Sequence, residues 1–137
     1  MRTKTIRQTL NFKALPIEVY EMIMDQEKHA AITESEVSMT KIVNGKFTAF
    51  GGYCNGYNIT LEEGEKIVQG WHFDEHEWPE EHYSICTFLF EKTSEGTKLT
   101  FIQKGVPAHK YDDIKDGWHQ YYWKPMKTFI EENKHKL

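Results

Sequence analysis

The stretch AHKYDDIKDGWHQYYWKPMKTFIEENK, residues 108–134, decides the fold. Its large apolar side chains recur every three to four residues, which predicts a long amphipathic helix from about Ala108 to Lys134. Aspartates come early and lysines late, as the helix dipole favours. Pro125 interrupts the pattern and predicts a kink, because proline frees a carbonyl one turn back. The apolar stripe consists of Ile114, Trp118, Tyr121, Tyr122, Met126, Phe129 and Ile130.

Upstream of this helix, short strand-like runs separated by turn signals predict an antiparallel sheet. Thr3 to Phe12 alternates apolar and polar residues and is the expected first strand. Asn44-Gly45, Glu63-Gly64 and Glu95-Gly96 are typical hairpin connections. The later strands are expected at Glu36–Val43, Lys46–Phe50, Tyr53–Leu61, Lys66–Phe73, Tyr83–Lys92 and Thr97–Lys104.

Two short helices fit between the first strand and this meander. Pro16 suits the first turn of a helix that continues to about Lys28, and a second helix is expected from His29 to Thr33. The order of elements predicts an α+β fold, with a curved antiparallel sheet of about six to seven strands wrapped around the C-terminal helix. A chain of 137 residues is expected to form a single domain, residues 1–137.

Composition argues against several classes of partner and chemistry. The formal net charge is −4 and no dense basic stripe is present, so nucleic acid is not an expected partner. No apolar window approaches the length of a membrane span, and Cys54 and Cys86 are too far apart for a CxxC pair, so we expect a cytoplasmic protein without membrane insertion. Neither a phosphate-binding loop nor a nucleophile motif occurs, so we expect no catalytic residues and no cofactor; Gly51-Gly52 is interpreted as a strand break.

Three motifs carry a family resemblance that covers nearly the whole chain. These are GWHQYYWKPMK at residues 117–127, KGVP at 104–107 and KIVQGW at 66–71. The chain resembles homologues of the activator of the heat-shock-protein-90 ATPase, a family within the START-like, Bet v-like (SRPBCC) superfamily. The resemblance implies a helix-grip fold, and it implies no single activity, because the superfamily includes lipid carriers, cyclases and co-chaperones. The eukaryotic activator carries an additional N-terminal domain that takes part in chaperone binding, and we expect no room for such a domain in these 137 residues.

Strand and helix parities predict an inward-facing set of side chains between the sheet and the C-terminal helix. Aromatic rings with a few polar groups are the usual lining of a small-molecule pocket, although the same rings could also fill a solid core. The predicted cleft residues are Gln69, Trp71, Phe73, Cys86, Phe88, Phe101, Gln103, Trp118, Tyr122 and Met126.

Two of these residues, Gln69 and Gln103, help to distinguish a small-molecule pocket from a solid core. An inward amide needs a hydrogen-bonding partner or costs about 1 to 3 kcal/mol. A ligand or water could supply the partner, or the hydroxyls of Tyr53, Tyr57, Tyr121 or Tyr122 could do so in a dry core.

The histidine-rich and glutamate-rich segment at residues 72–82 invites a zinc hypothesis. None of the compact zinc spacings is present, however, and the segment lies between two strands, so we interpret it as a solvated acidic loop and expect no metal. His109 and His119 are expected on the surface.

The sequence therefore supports a leading hypothesis and two alternatives. The first is a non-enzymatic domain that holds a small apolar or amphipathic ligand in the cleft. The second is a co-chaperone-like or stress-related interaction domain with a chaperone partner, in which Trp78, Trp123 and the acidic loop would form the docking surface. The third, a cyclase-like enzyme, lacks titratable side chains in the predicted cleft other than tyrosines and Cys86.

Overall fold

A computed structural model describes residues 1–134, and the prediction that residues 1–137 form one domain extends beyond them. The chain forms an antiparallel sheet of seven strands in the order β1-β7-β6-β5-β4-β3-β2, so the α+β helix-grip prediction is confirmed. The strands are β1 Thr3–Phe12, β2 Ser38–Met39, β3 Lys46–Ala49, β4 Cys54–Glu62, β5 Lys66–Phe73, β6 Ser84–Thr93 and β7 Gly96–Pro107. The helices are α1 Pro16–Met24, α2 Gln26–Thr33, α3 Tyr111–Trp118 and α4 Lys124–Asn133, with short 3-10 turns at Phe50–Gly52 and Ala108–Lys110.

The long antiparallel pairs of the sheet fix which side chains face the helices. β6 and β7 pair from Ile85↔Lys104 to Thr93↔Gly96, and β5 pairs with β6 so that Gln69 lies opposite Cys86. Because side chains alternate between the two faces of a strand, this register places the even-numbered residues of β6 and the odd-numbered residues of β7 on the buried face.

The first helical segment ends earlier than its sequence pattern predicted. Asp25 adopts an extended conformation that ends α1 at Met24, and its carboxylate accepts a hydrogen bond from the Lys28 backbone N–H, which caps α2. The predicted boundary near Lys28 was therefore wrong, because the cap of the second helix stops the first one.

The predicted strand at Glu36–Val43 shrinks to β2, which has two residues. The following segment turns away because the side chain of Asn58 in β4 donates hydrogen bonds to the carbonyls of Thr40 and Ile42. The carbonyls of this segment are thus paired with the buried Asn58 side chain and not with a neighbouring strand, and the segment forms a loop.

The C-terminal helix runs without interruption from α3 to α4 through a π-helical turn at His119–Trp123. This turn lies directly before Pro125, and the Lys124 N–H donates to the carbonyl of His119, five residues back. A proline ring collides with the carbonyl four residues back in a regular helix, and the wider turn relieves that contact. Among residues 1–134, no helix is both long and apolar enough to cross a bilayer.

Candidate functional site

The predicted cleft residues lie on the buried side of the sheet and on the facing side of the C-terminal helix. Trp118 packs on Phe101 with ring centroids 4.4 Å apart and on Tyr122 at 4.7 Å. Their role in binding a ligand stays a prediction. The residues that are buried are Gln69, Trp71, Phe73, Cys86, Phe88, Phe101, Gln103, Trp118, Tyr122 and Met126.

Both inward glutamines are satisfied by protein groups. Gln69 accepts a hydrogen bond from the Trp71 indole N–H at 2.9 Å and donates to the side-chain oxygen of Asn58 at 2.9 Å. Gln103 accepts from the Trp118 indole N–H at 2.8 Å and donates to the Ser84 hydroxyl at 2.8 Å. The partners are therefore indoles, Asn58 and Ser84, and not the tyrosine hydroxyls named as candidates.

A third glutamine–tryptophan pair lies next to the second one, with the Trp123 ring stacked on that of Trp118 at a centroid distance of 5.4 Å. The Trp123 indole N–H donates to the side-chain oxygen of Gln8 at 2.7 Å, and the Gln8 amide donates to the Lys115 carbonyl. Trp123 is only 1% exposed and Trp78 only 4%, so the prediction that these two residues anchor an exposed docking surface was wrong. Each indole satisfies its N–H inside the fold, which favours burial.

Beyond these packed layers, the structure contains a cavity of about 480 Å³ between the start of α3, the π-helical turn and the Phe50–Gly52 turn. Four of the predicted cleft residues line it, namely Trp71, Phe73, Trp118 and Tyr122; the other six predicted residues lie outside its lining. The remaining lining residues, which sequence reasoning missed, are Phe50, Tyr53, Cys54, Glu75, Lys110, Asp113, Ile114, Gly117 and Tyr121.

Charged side chains lie at one end of this cavity. The Lys110 ammonium is 2.8 Å from the Glu75 carboxylate, and each side chain is 19% exposed. The Tyr53 hydroxyl donates to the other Glu75 oxygen. Burial alone would raise the pKa of Glu75, but Lys110 and Tyr53 outweigh it and hold that pKa below its ordinary value. Glu75 is therefore an anion at neutral pH.

A buried histidine, which the sequence analysis did not select, supports the cavity wall from behind. His29 Nδ1 is 2.9 Å from the Ile23 carbonyl, and Nε2 is 2.7 Å from the Tyr122 hydroxyl. Since a carbonyl only accepts, Nδ1 carries the proton and the neutral ring accepts at Nε2 from Tyr122. Burial lowers the pKa of His29 to about 4, against the smaller effect of the Ile23 carbonyl. The sequence signal that could have identified His29 is its position three residues before the apolar Ile32, which places the two residues on the same face of α2.

The segment at residues 72–82 is an ordered loop closed over Trp78. The Trp78 ring lies 4.7 Å from that of Phe73, and its N–H donates to the His82 carbonyl. His82 in turn contacts the Gly105 carbonyl at 2.6 Å. The glutamates at positions 77, 80 and 81 are exposed, as the acidic-loop interpretation predicted. Within residues 1–134, no cluster of three or more His, Cys, Asp or Glu side chains could hold a metal ion.

Comparison with known proteins gives a consistent answer over most of the chain. The family described as "Activator of Hsp90 ATPase homolog 1-like protein" matches residues 13–131. The activator of 90 kDa heat shock protein ATPase homolog of Dictyostelium discoideum is 31% identical over 85% of this chain and 30% of its own length. Homolog 1 of Homo sapiens is 29% identical over 90% of this chain and 35% of its own length. The chain thus spans about a third of the length of these curated relatives.

A solved structure shows the same fold. The crystal structure of an HSP90 activator from Plasmodium falciparum superposes with a TM-score of 0.84 at 24% identity, covering 93% of this chain and 96% of that one.

Proposed function

Since this chain belongs to the family of Activator of Hsp90 ATPase homolog 1-like proteins, we propose that it is a non-enzymatic, co-chaperone-like domain that binds an Hsp90-class ATPase. The observation that carries this proposal is that relatives named as activators of that ATPase match 85% and 90% of this chain. The packed centre of the cleft supports it, because the Gln69 and Gln103 amides need no ligand there. The unpaired Cys54 and Cys86 support a reducing, cytoplasmic compartment.

With Trp78 and Trp123 buried, the contact surface must use other side chains. Ile42, 64% exposed, and Val43 project from the loop that follows β2, which Asn58 and the Lys41–Glu21 ion pair at 2.9 Å hold in place. Tyr121 is 51% exposed on the π-helical turn. Exposed apolar side chains on an ordered backbone are suited to an interface.

The test measures the ATPase rate of the Hsp90-class chaperone from the same organism with and without this protein. We expect a saturable rate change of at least about twofold and a measurable complex, weakened by Ile42→Ser or Tyr121→Ser, each of which should leave the fold intact because the side chain is exposed. Lys92→Ser, an exposed change at the far end of β6, serves as the control. If neither binding nor a rate change occurs at about 100 μM protein, the proposal fails.

A second function is favoured by one observation, the aromatic cavity of about 480 Å³. Its volume and its mixture of rings with a few polar groups match those of small-molecule sites. We propose that it holds a small amphipathic ligand, using Trp71, Phe73, Trp118 and Tyr122 from the predicted set. Gln69, Cys86, Phe88, Phe101, Gln103 and Met126 support these walls from the core instead of contacting the ligand.

This second function can be tested by native mass spectrometry of protein purified gently from its own host. A stoichiometric adduct is expected, and Gly117→Leu should abolish it by filling the cavity from α3. A Cβ at Gly117 has room, since its nearest neighbour outside the backbone of its own helix would be Tyr121 Cδ2 at 3.8 Å. An adduct that persists in Gly117→Leu would place the ligand elsewhere.

A further inference from the structure

The walls of the cavity are dominated by aromatic rings. Around its interior, the Trp71 ring lies 5.1 Å from that of Trp118 and 6.1 Å from that of Tyr122, and Phe50 packs 5.8 Å from both Tyr121 and Tyr122. The faces of such rings carry negative electrostatic potential and attract cations, most strongly at tryptophan. Phe73 and Tyr53, with centroids 6.0 Å apart, extend this lining to the charged end.

The charged end adds negative charge overall. Two carboxylates, Glu75 and Asp113, line the cavity against one ammonium, Lys110, which Glu75 already neutralises at 2.8 Å. The positive end of α3 lies nearby, but Asp112 and Asp113 occupy its first turn and offset it. Burial, followed by the hydrogen bond to Glu75 and the nearby negative charges, raises the pKa of the Tyr53 hydroxyl.

From the aromatic walls and the excess of carboxylate at the mouth, we propose that this cavity binds a small organic cation, an alkylated ammonium of the quaternary type. This proposal rests on the second function above, that the cavity holds a ligand. The alkylated head would contact the partly exposed rings of Tyr53 and Tyr121, close to the carboxylate of Asp113. The buried rings of Trp71, Trp118 and Tyr122 form the floor of the cavity beneath it.

The hydrogen bonding of the lining explains why an alkylated ammonium fits better than a primary one. A primary ammonium carries three N–H donors that need acceptors, and the Asp113 carboxylate by itself does not satisfy all three. The Tyr53 hydroxyl is already engaged with Glu75, the Tyr122 hydroxyl with His29, and the indole nitrogens of Trp71 and Trp118 are donors that face Gln69 and Gln103. A quaternary head has no N–H to satisfy and gains its binding energy from the ring faces and from the negative charge of Asp113.

The experiment compares two probes of nearly equal shape. Choline and 3,3-dimethyl-1-butanol differ by the replacement of the charged nitrogen with carbon. Binding to the full chain is followed by tryptophan fluorescence, since Trp71 and Trp118 line the cavity, and by calorimetry. We expect choline to bind at least about fivefold more tightly than the alcohol, on the scale of cation–π energies.

A pair of isosteric variants locates the charge effect. Asp113→Asn should weaken choline about two- to fivefold and leave the alcohol unchanged, because it removes a charge that lines the cavity without changing its shape. Asp116→Asn is the matched control, since Asp116 lies on the same helix outside this cavity's lining and should leave both probes unchanged.

The possible results distinguish the preference for a cation from the more general proposal that the cavity holds a ligand. Equal or tighter binding of the alcohol would show that the cavity takes a ligand but has no preference for cations, which overturns the inference and leaves the second function standing. Binding of neither probe at about 10 mM would overturn the inference and, combined with an adduct-free native mass spectrum, the second function as well. Choline binding that is equally weakened by Asp116→Asn would place the cation outside the cavity and also overturn the inference.

Discussion

The buried His29 should make the protein less stable in mild acid, and the size of the effect follows from its environment. In the unfolded chain this imidazole takes up a proton near pH 6.5, whereas in the fold it remains neutral down to about pH 4. Between these values the unfolded state binds more protons, so stability is fully present above about pH 6.5 and is lost as the pH falls towards 4. The loss attributable to His29 is about 3 kcal/mol.

The assay is urea unfolding followed by tryptophan fluorescence between about pH 7.5 and pH 4.5, for the wild type and His29→Gln. The glutamine amide can donate to the Ile23 carbonyl and accept from Tyr122, as the neutral ring does, but it does not titrate. We expect the wild type to lose about 2 kcal/mol more than His29→Gln over this range, which stops short of the folded pKa. His119→Gln, at an exposed position, is the control and should behave as the wild type.

Equal losses in the wild type and His29→Gln would refute the reasoning, because they would mean that His29 is not held neutral by the fold. The effect of protonating Glu75 on stability can be distinguished from that of His29, because it occurs at lower pH. The pKa of Glu75 is lowered from its ordinary value of 4.5, so the stability it contributes is present above about pH 4.5 and is lost only as the pH falls below it.

Three further changes test the packing of the cleft, each by urea unfolding at neutral pH. Trp118→Ala should destabilise the fold by about 3 to 5 kcal/mol, because it removes a buried ring and its bond to Gln103. Gln103→Leu should cost about 1 to 3 kcal/mol by leaving the Trp118 N–H without an acceptor, whereas the exposed control Gln120→Leu should change stability by less than about 0.5 kcal/mol. Gly117→Ala should stabilise by about 0.5 to 1 kcal/mol, because glycine is a poor helix former and its added Cβ has room; a loss of stability would contradict the helical packing described for α3.

The sequence was sufficient for the architecture because the strands and helices carry strong periodic patterns. β1 and β5 begin and end at the predicted residues, and the C-terminal helix spans nearly the predicted range. Patterns failed where a single side chain overrode them. Asp25 splits the first helix and Asn58 turns the chain away from β2, and neither effect has a signature at the positions that it alters.

Trp123, one of the two tryptophans that were assigned to the surface, illustrates a different limit. Trp123 follows Tyr122 directly, and in a regular helix two adjacent residues point about 100° apart, so both cannot face one partner. The π-helical turn and the partner Gln8 in β1 allow both to be buried. That contact joins residues at opposite ends of the chain, and periodicity contains no information about it.

The sequence predicted a cleft between the sheet and the C-terminal helix, but it could not give the position of the cavity, for a reason that concerns packing. Sequence parity selects the middles of strands, where Cys86, Phe88 and Phe101 meet the helix, and regular elements pack most densely there. The cavity instead lies where elements end, beside Phe50–Gly52, whose three residues all have positive φ, and beside the start of α3. Where the chain leaves the sheet, it does not pack against the sheet face and leaves space there. The cavity and the charged groups at the cavity mouth therefore both lie at this end of the fold.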